Sequence, residues 1–356
     1  MIQLPPPILA ASPLISTDRA SYQWGEVITI NGSQFDAWTA VAVSLFKNGV
    51  WVQPLGQPNA NQFGTFTLTT LAATQWTLSA YSIQAFSLTG SASTTFNLIS
   101  VVDHIAISPV SAALTAGTSQ TYTASAYDSG GNSWDVTSLT SFSISPNGSV
   151  TGNSVSASVT GPHVVTGSYA TKTATALLNV NPGTLHHFTF ATISNQTAGV
   201  PFPLSLTAYD LYNNIKTDYS GPATLSGFDG AVAPTSIPFS SGIATPNVTI
   251  TKAMTSKLTL SGSASNDSNT FTVTHSASVD HLSLAPATAT IVAGTTQTYT
   301  STAYDAYGNS WDVTALTAFS ISPDGSFSGN VASVSLAGPH TITGSYATKS
   351  ATALLQ

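Results

Sequence analysis

The chain has 356 residues, 42% of them apolar, and no run approaches the ~18 apolar residues that a membrane-spanning helix needs. Six lysines and a single arginine, Arg19, stand against fourteen acids, so there is no basic surface for a phosphate backbone and nucleic-acid binding is excluded. The absence of cysteine removes disulfides, thiolate metal sites and cysteine nucleophiles, and with charged residues at only 6% the exposed faces must be built from Ser and Thr, roughly 30% of the chain.

Residues 1–13 form an apolar N-terminal segment whose prolines keep it extended. It lacks a basic n-region and does not read as a secretory signal, so either a signal has been removed or the sequence is part of a longer array. Its apolar positions, Ile2, Leu4, Ile8 and Leu9, are the candidates for an inter-subunit strand laid along or added to another subunit's sheet.

Residues 14–100 form a first domain. Trp24 to Phe35 and Val41 to Val52 read as short strands, and Lys47-Asn48-Gly49-Val50 supplies the turn of a hairpin, because both central positions of such a turn need φ > 0. Four of the six tryptophans, Trp24, Trp38, Trp51 and Trp76, lie in this domain. Trp38 and Trp51, on either side of the hairpin, are expected to pack on the core; exposed and coplanar, they would instead make a sugar-binding platform.

From residue 101 the chain repeats itself. An offset of 177 aligns Val102 to Leu178 with Val279 to Leu355 without a gap, and about two-thirds of the positions are identical. Gln120 to Asp128 matches Gln297 to Asp305, and Gly131-Asn-Ser-Trp-Asp-Val-Thr137 matches Gly308-Asn-Ser-Trp-Asp-Val-Thr314. Between the two copies, Ala198-Gly199 and Ala208-Tyr209-Asp210 keep the same order of Ala-Gly, strand and Ala-Tyr-Asp. The expected domains are therefore 14–100, 101–182, 183–277 and 278–356, joined by linkers of a few residues.

No stretch carries the apolar spacing of a helix, whereas alternation of period two recurs between Gly, Pro, Asn and Asp. Phe202, Leu204, Leu206 and Ala208 fall on one face, and the same phase puts Tyr299, Ser301 and Ala303 inward. About seven short strands in 80–95 residues is the pattern of a cysteine-free immunoglobulin-like sandwich. The fold class is all-β: four tandem immunoglobulin-like β-sandwich domains in an elongated array.

The segments Ile107-Ser-Pro109, Ala116-Gly117, Ala126-Tyr-Asp128, Gly131-Asn132 and Gly167-Ser-Tyr169 to Leu178 resemble bacterial Ig-like repeats of the group-2 and invasin types. The second and fourth domains carry the pattern throughout, the third carries its Ala-Gly and Ala-Tyr-Asp core, and the first matches loosely. The resemblance implies an extracellular, cell-surface location in bacteria or archaea and a role as stalk, adhesin, surface-layer or filament module.

Little in the sequence points to catalysis. One glutamate, Glu26, and thirteen aspartates are spread over four sandwiches, so no carboxylate pair stands out, and no nucleophile elbow, P-loop or zinc-protease motif occurs. Asp128, Asp210 and Asp305 recur at a strand end, where Asp closes an Asx-turn; the alternative is calcium held with Asn132 and Asp135 or Asn309 and Asp312. His104 and His281, and His163 and His340, are matched between copies and read as framework. Adjacent His186 and His187 are expected to face opposite sides of a strand, unable to share a metal. No catalytic residue, cofactor or metal ligand is assigned.

Five sequons, at Asn31, Asn147, Asn195, Asn247 and Asn266, mark candidate N-glycosylation sites, with Asn266 in the most loop-like sequence. Few lysines guard the many strand edges, which suits a subunit whose edges neighbours cover. The reading that follows is a non-enzymatic extracellular structural protein, a filament or surface-layer subunit or adhesin stalk, self-associating into a homopolymer or lattice. The alternative is a carbohydrate-binding adhesin or accessory region of a larger secreted protein.

Overall fold

The computed structural model describes residues 11–356, so Ile2, Leu4, Ile8 and Leu9 lie outside the described residues. The chain is all-β, with three single-turn 3-10 helices among the described residues, at Thr137–Leu139, Phe228–Gly230 and Thr314–Leu316. Its immunoglobulin-like sandwiches divide by contact into two compact units. One holds residues 11–112 with Ser119–Ser156 and His163–Leu178; the other holds Ala113–Thr118, Ala157–Pro162 and Asn179–Gln356.

In the first unit, the strands Leu14–Thr17, Val27–Ser33 and Phe66–Leu71 form one sheet of the first sandwich. Ser21–Tyr22, Ser91–Leu98, Ser79–Phe86, Ala42–Lys47 and Val50–Gly56 form the other, in that order. Alternation decides which side chains meet between the sheets: Ile28 and Ile30 from one face Val43, Leu45, Ile83 and Phe96 from the other, all buried. The hairpin at Asn48-Gly49 forms as its sequence requires, with φ of 50° and 78°.

The second and fourth repeats have the same strand order. His104–Ser108, Thr123–Tyr127 and Ser133–Asp135 pair as His281–Ala285, Thr300–Tyr304 and Ser310–Asp312 do, and the registers coincide, Thr123 opposite Ser108 and Thr300 opposite Ala285. In the second unit, the third repeat places Phe202, Leu204, Leu206 and Ala208 in its core, and the fourth buries Tyr299, Ser301 and Ala303 in the same phase.

Two expectations about side-chain placement fail. Trp38 is 73% exposed and Trp51 is 56% exposed, so neither packs on the core. Trp38 sits at φ 64° in the loop before Ala42–Lys47, and Trp51 lies beyond its far end, so the strand separates them. The core positions go instead to Trp76, which is buried, and partly to Trp24, whose indole N–H donates to the Trp76 carbonyl oxygen at 2.8 Å.

Candidate functional site: the joints between repeats

Each of the later three repeats carries a five-residue turn that begins on the Asp of Ala-Tyr-Asp. The turns are Asp128-Ser-Gly-Gly-Asn132, Asp210-Leu-Tyr-Asn-Asn214 and Asp305-Ala-Tyr-Gly-Asn309. The Asp N–H donates to the carbonyl of the closing Asn at 3.0 Å in all three. The fourth position is left-handed, with φ of 82°, 63° and 82° at Gly131, Asn213 and Gly308, which is why Gly or Asn stands there. The carboxylate fills the turn: Asp305 Oδ1 accepts the N–H groups of Tyr307 and Asn309 at 3.0 and 2.9 Å, and Asp210 Oδ1 those of Tyr212 and Asn214 at 2.9 Å each. This is the Asx-turn that the sequence pattern predicts.

The second carboxylate oxygen ties the turn to the linker in front of its own repeat. Asp210 Oδ2 accepts Gly183 N–H at 2.8 Å and Asp305 Oδ2 accepts Ser276 N–H at 2.9 Å. Each closing Asn donates from Nδ2 to the same oxygen, at 2.9 Å in both repeats. Burial pushes the Asp128, Asp210 and Asp305 carboxyls up, but the bonds from the Asn side chain and the backbone N–H groups outweigh it and hold all three below the usual range. Those N–H donors occupy the lone pairs that a calcium ion would need.

The closing Asn then reaches the preceding repeat. Within the second unit, Asn214 Nδ2 donates to the Ser158 carbonyl at 2.7 Å and its Oδ1 accepts Thr160 N–H at 3.0 Å. Asn309 does the same one joint later, donating to the Thr251 carbonyl at 2.8 Å and accepting Ala253 N–H at 2.7 Å. The tyrosine two residues after each Asp completes the contact. A Cβ built on Gly117 would lie 2.0 Å from Tyr212 Oη, and one on Gly199 would lie 2.2 Å from Tyr307 Oη. The Ala-Gly pairs of the second and third repeats are therefore the seats for the tyrosine of the repeat that follows each.

The turn at Asp128 differs. Gly130 stands where the tyrosines are, and the Asn132 side chain, bonded to Asp128 Oδ2 at 3.0 Å as in the other turns, makes no bond beyond its own turn among the described residues. Here, within the first unit, Ser100 Oγ donates to Asp128 Oδ2 at 3.4 Å and Trp24 meets Trp134 edge to face at 5.7 Å. A cleft of about 410 Å³ lined by Leu78, Ile99, Trp134 and Tyr169 accompanies this looser joint.

The histidines are mostly framework. His104 stacks on Tyr127 and bonds Asp103 at 2.9 Å; His281 stacks on Tyr304 and bonds Asp280 at 3.0 Å. Buried His163 and His340 bond the carbonyls of Pro146 and Gly338 at 2.6 and 2.9 Å. His186 and His187 do not face apart: His186 precedes the strand His187–Phe190, and the two Nδ1 atoms meet at 3.1 Å. Among the described residues no cluster of three or more His, Asp or Glu could hold a metal ion, and no helix is long and apolar enough to cross a membrane.

Of the sequons, Asn31, Asn147, Asn195 and Asn247 are exposed. Asn266 is half-buried in the strand Ser265–Asp267, and its Oδ1 accepts Phe188 N–H at 2.9 Å.

No family model matches the chain, and no curated protein matches its sequence. Among solved structures it is similar to FdeC, a broadly conserved Escherichia coli adhesin, at 16% identity over 75% of this chain and 98% of that one, with a TM-score of 0.39. It is similar to invasin, a bacterial integrin-binding protein, at 12% identity over 97% and 79% of the two chains, with a TM-score of 0.42. Domains 1–6 of the surface-layer protein SbsC match at 15% identity and a TM-score of 0.25, over 98% of this chain and 54% of that one.

Proposed function

We propose that the chain is a non-enzymatic structural stretch of an extracellular protein of the bacterial or archaeal surface, an adhesin stalk or a filament or surface-layer subunit. The observation that carries this reading is the joint made twice over, in which the Asn and Tyr of one turn grip the backbone of the repeat before. Each joint spends two Asn side-chain hydrogen bonds and one tyrosine-on-glycine contact on fixing one sandwich to another. Self-association into a homopolymer or lattice, and glycans on the exposed sequons Asn31, Asn147, Asn195 and Asn247, belong to the same proposal; scarce lysine at the strand edges supports the former.

Spin labels at Thr224→Cys and Ser320→Cys, the only thiols in a cysteine-free chain, test it by the width of their distance distribution. A narrow distribution is the expected result, and a broad one typical of a free linker of a few residues would sink the structural role. Electron microscopy of the same material across dilution separates filament or lattice from stalk.

A second reading, a carbohydrate-binding adhesin or accessory region, is favoured by the exposure of Trp38 and of Phe63, at 73% and 76%. Their loops are joined by the Trp38 N–H to Ala60 carbonyl bond at 2.9 Å and the Phe35 N–H to Gly64 carbonyl bond at 3.1 Å. Binding to a glycan array that Trp38→Ala abolishes would establish it.

A further inference from the structure

The seat that receives a turn is built alike in three repeats. In the second, Gly117 N–H donates to the Ala157 carbonyl at 2.9 Å, which leaves the Ser158 carbonyl and Thr160 N–H for the incoming Asn. In the third, Gly199 N–H donates to the Ile250 carbonyl at 2.9 Å, and Thr251 and Ala253 take the Asn. The fourth repeats the frame: Gly294 N–H donates to the Val334 carbonyl at 2.8 Å, with Ser335 and Ala337 next in line.

Nothing among the described residues enters this third seat. Gly294 keeps the left-handed backbone, φ 90° against 83° and 79° at Gly117 and Gly199, yet a Cβ there would meet nothing within 4 Å. Its rim is apolar and open, with Val292 75% and Leu336 61% exposed. No described group bonds the Ser335 carbonyl or the Ala337 N–H.

We propose that the seat formed by Gly294, Ser335 and Ala337 binds the Asp-x-Tyr-x-Asn turn of a further immunoglobulin-like repeat. The Asn amide would donate to the Ser335 carbonyl and accept from Ala337 N–H, and the phenol would lie over Gly294. A second copy of this chain does not fit as the partner. Its two turns with a tyrosine, at Asp210 and Asp305, are already seated within their own chain, and the turn at Asp128 carries Gly130 in the tyrosine position. The partner is thus a repeat with an unspent turn, presented by its own short linker as Gly183 and Ser276 present theirs. This deepens the structural reading above, on which it rests, by naming what the last repeat holds.

The test extends the full chain after Gln356 with a second copy of residues 180–275, the position that Gln356 occupies being that of Asn179 in the repeat alignment. Spin labels at Ser320→Cys and at the Thr224→Cys position of the added copy then read the new joint. The expected width equals that of the native third-to-fourth joint, and Tyr212→Ser in the added copy alone broadens it about twofold, toward the spread of a free linker. Tyr212 is 45% exposed, so that variant keeps its fold, which circular dichroism of the extended chain checks. A broad distribution with the unaltered turn, beside a narrow native joint, overturns the seat while leaving the structural role standing. A broad native joint overturns the structural role itself.

Discussion

Tyr307 rests on Gly199: its phenol oxygen lies 2.2 Å from where a Cβ on that glycine would be, and its ring atom Cε2 lies 2.3 Å away. The glycine is thus required for two separate reasons, its φ of 79° and the ring above it. Gly294 has the first reason without the second, since its φ is 90° and its surroundings are open. Gly294→Ala should therefore cost only the left-handed backbone, about 1–2 kcal/mol. Gly199→Ala should cost that and displace Tyr307 as well, giving the larger fall in melting temperature and a wider third-to-fourth distance distribution. Equal effects from the two variants would mean that the tyrosine contributes nothing to the joint.

Asn309→Ala removes the donor to the Thr251 carbonyl and the acceptor for Ala253 N–H, and also the bond to Asp305 Oδ2. With each orphaned group costing about 1–3 kcal/mol when it stays buried and rather less when water reaches it, the third and fourth repeats should unfold as separate transitions in calorimetry. Asn132→Ala loses bonds only inside its own turn among the described residues. It should lower stability locally without changing how many transitions are seen.

The sandwiches were legible because alternation is local: Phe202, Leu204, Leu206 and Ala208 announce a face within seven residues of sequence. The Asx-turns at Asp128, Asp210 and Asp305 were legible for the same reason, their partners being two and four residues away. The joints were not. Asn214 finds Ser158 56 residues back and Asn309 finds Thr251 58 residues back, and no periodicity records such pairings. One signal was available: tyrosine occupies the third turn position where an Ala-Gly repeat precedes, and glycine where the divergent first domain precedes. The exposure of Trp38 and Trp51 was hidden too, because a tryptophan beside a hairpin has the same sequence whether it turns inward or out.

Acid should loosen the second unit through Asp210 and Asp305. Their folded carboxyls lie below the usual value of about 3.9, so below that pH protons bind the unfolded chain in preference. The stabilisation is complete above pH ~4 and disappears as pH falls through the depressed values. Asp305→Asn isolates one contribution, because its amide would set an N–H against the Ser276 N–H that Oδ2 now accepts. The variant should melt below the wild type at pH 7, with the gap closing toward pH 2. A gap that stays constant over that range would mean that the Asp305 charge plays no part.

Ser301 offers the converse case, a stabilising change already tried by the protein's own duplication. Its hydroxyl is fully buried and finds no hydrogen-bond partner among the described residues, and the matched position of the second repeat, 177 residues earlier, is Ala124. The surrounding backbone is the same in both: Thr137 Oγ1 accepts Ala124 N–H at 2.9 Å, and Thr314 Oγ1 accepts Ser301 N–H at 2.9 Å. The serine thus carries a desolvated hydroxyl in a site that a neighbouring sandwich fills with a methyl group. Ser301→Ala removes the polar atom without opening a cavity larger than that atom, and should raise the stability of the fourth repeat by about 1 kcal/mol. Ala124→Ser should lower that of the second by a similar amount. Thermal melts of the two single variants and the double variant check both, and a destabilised Ser301→Ala would mean that the hydroxyl has a partner, such as a buried water, that repays its burial.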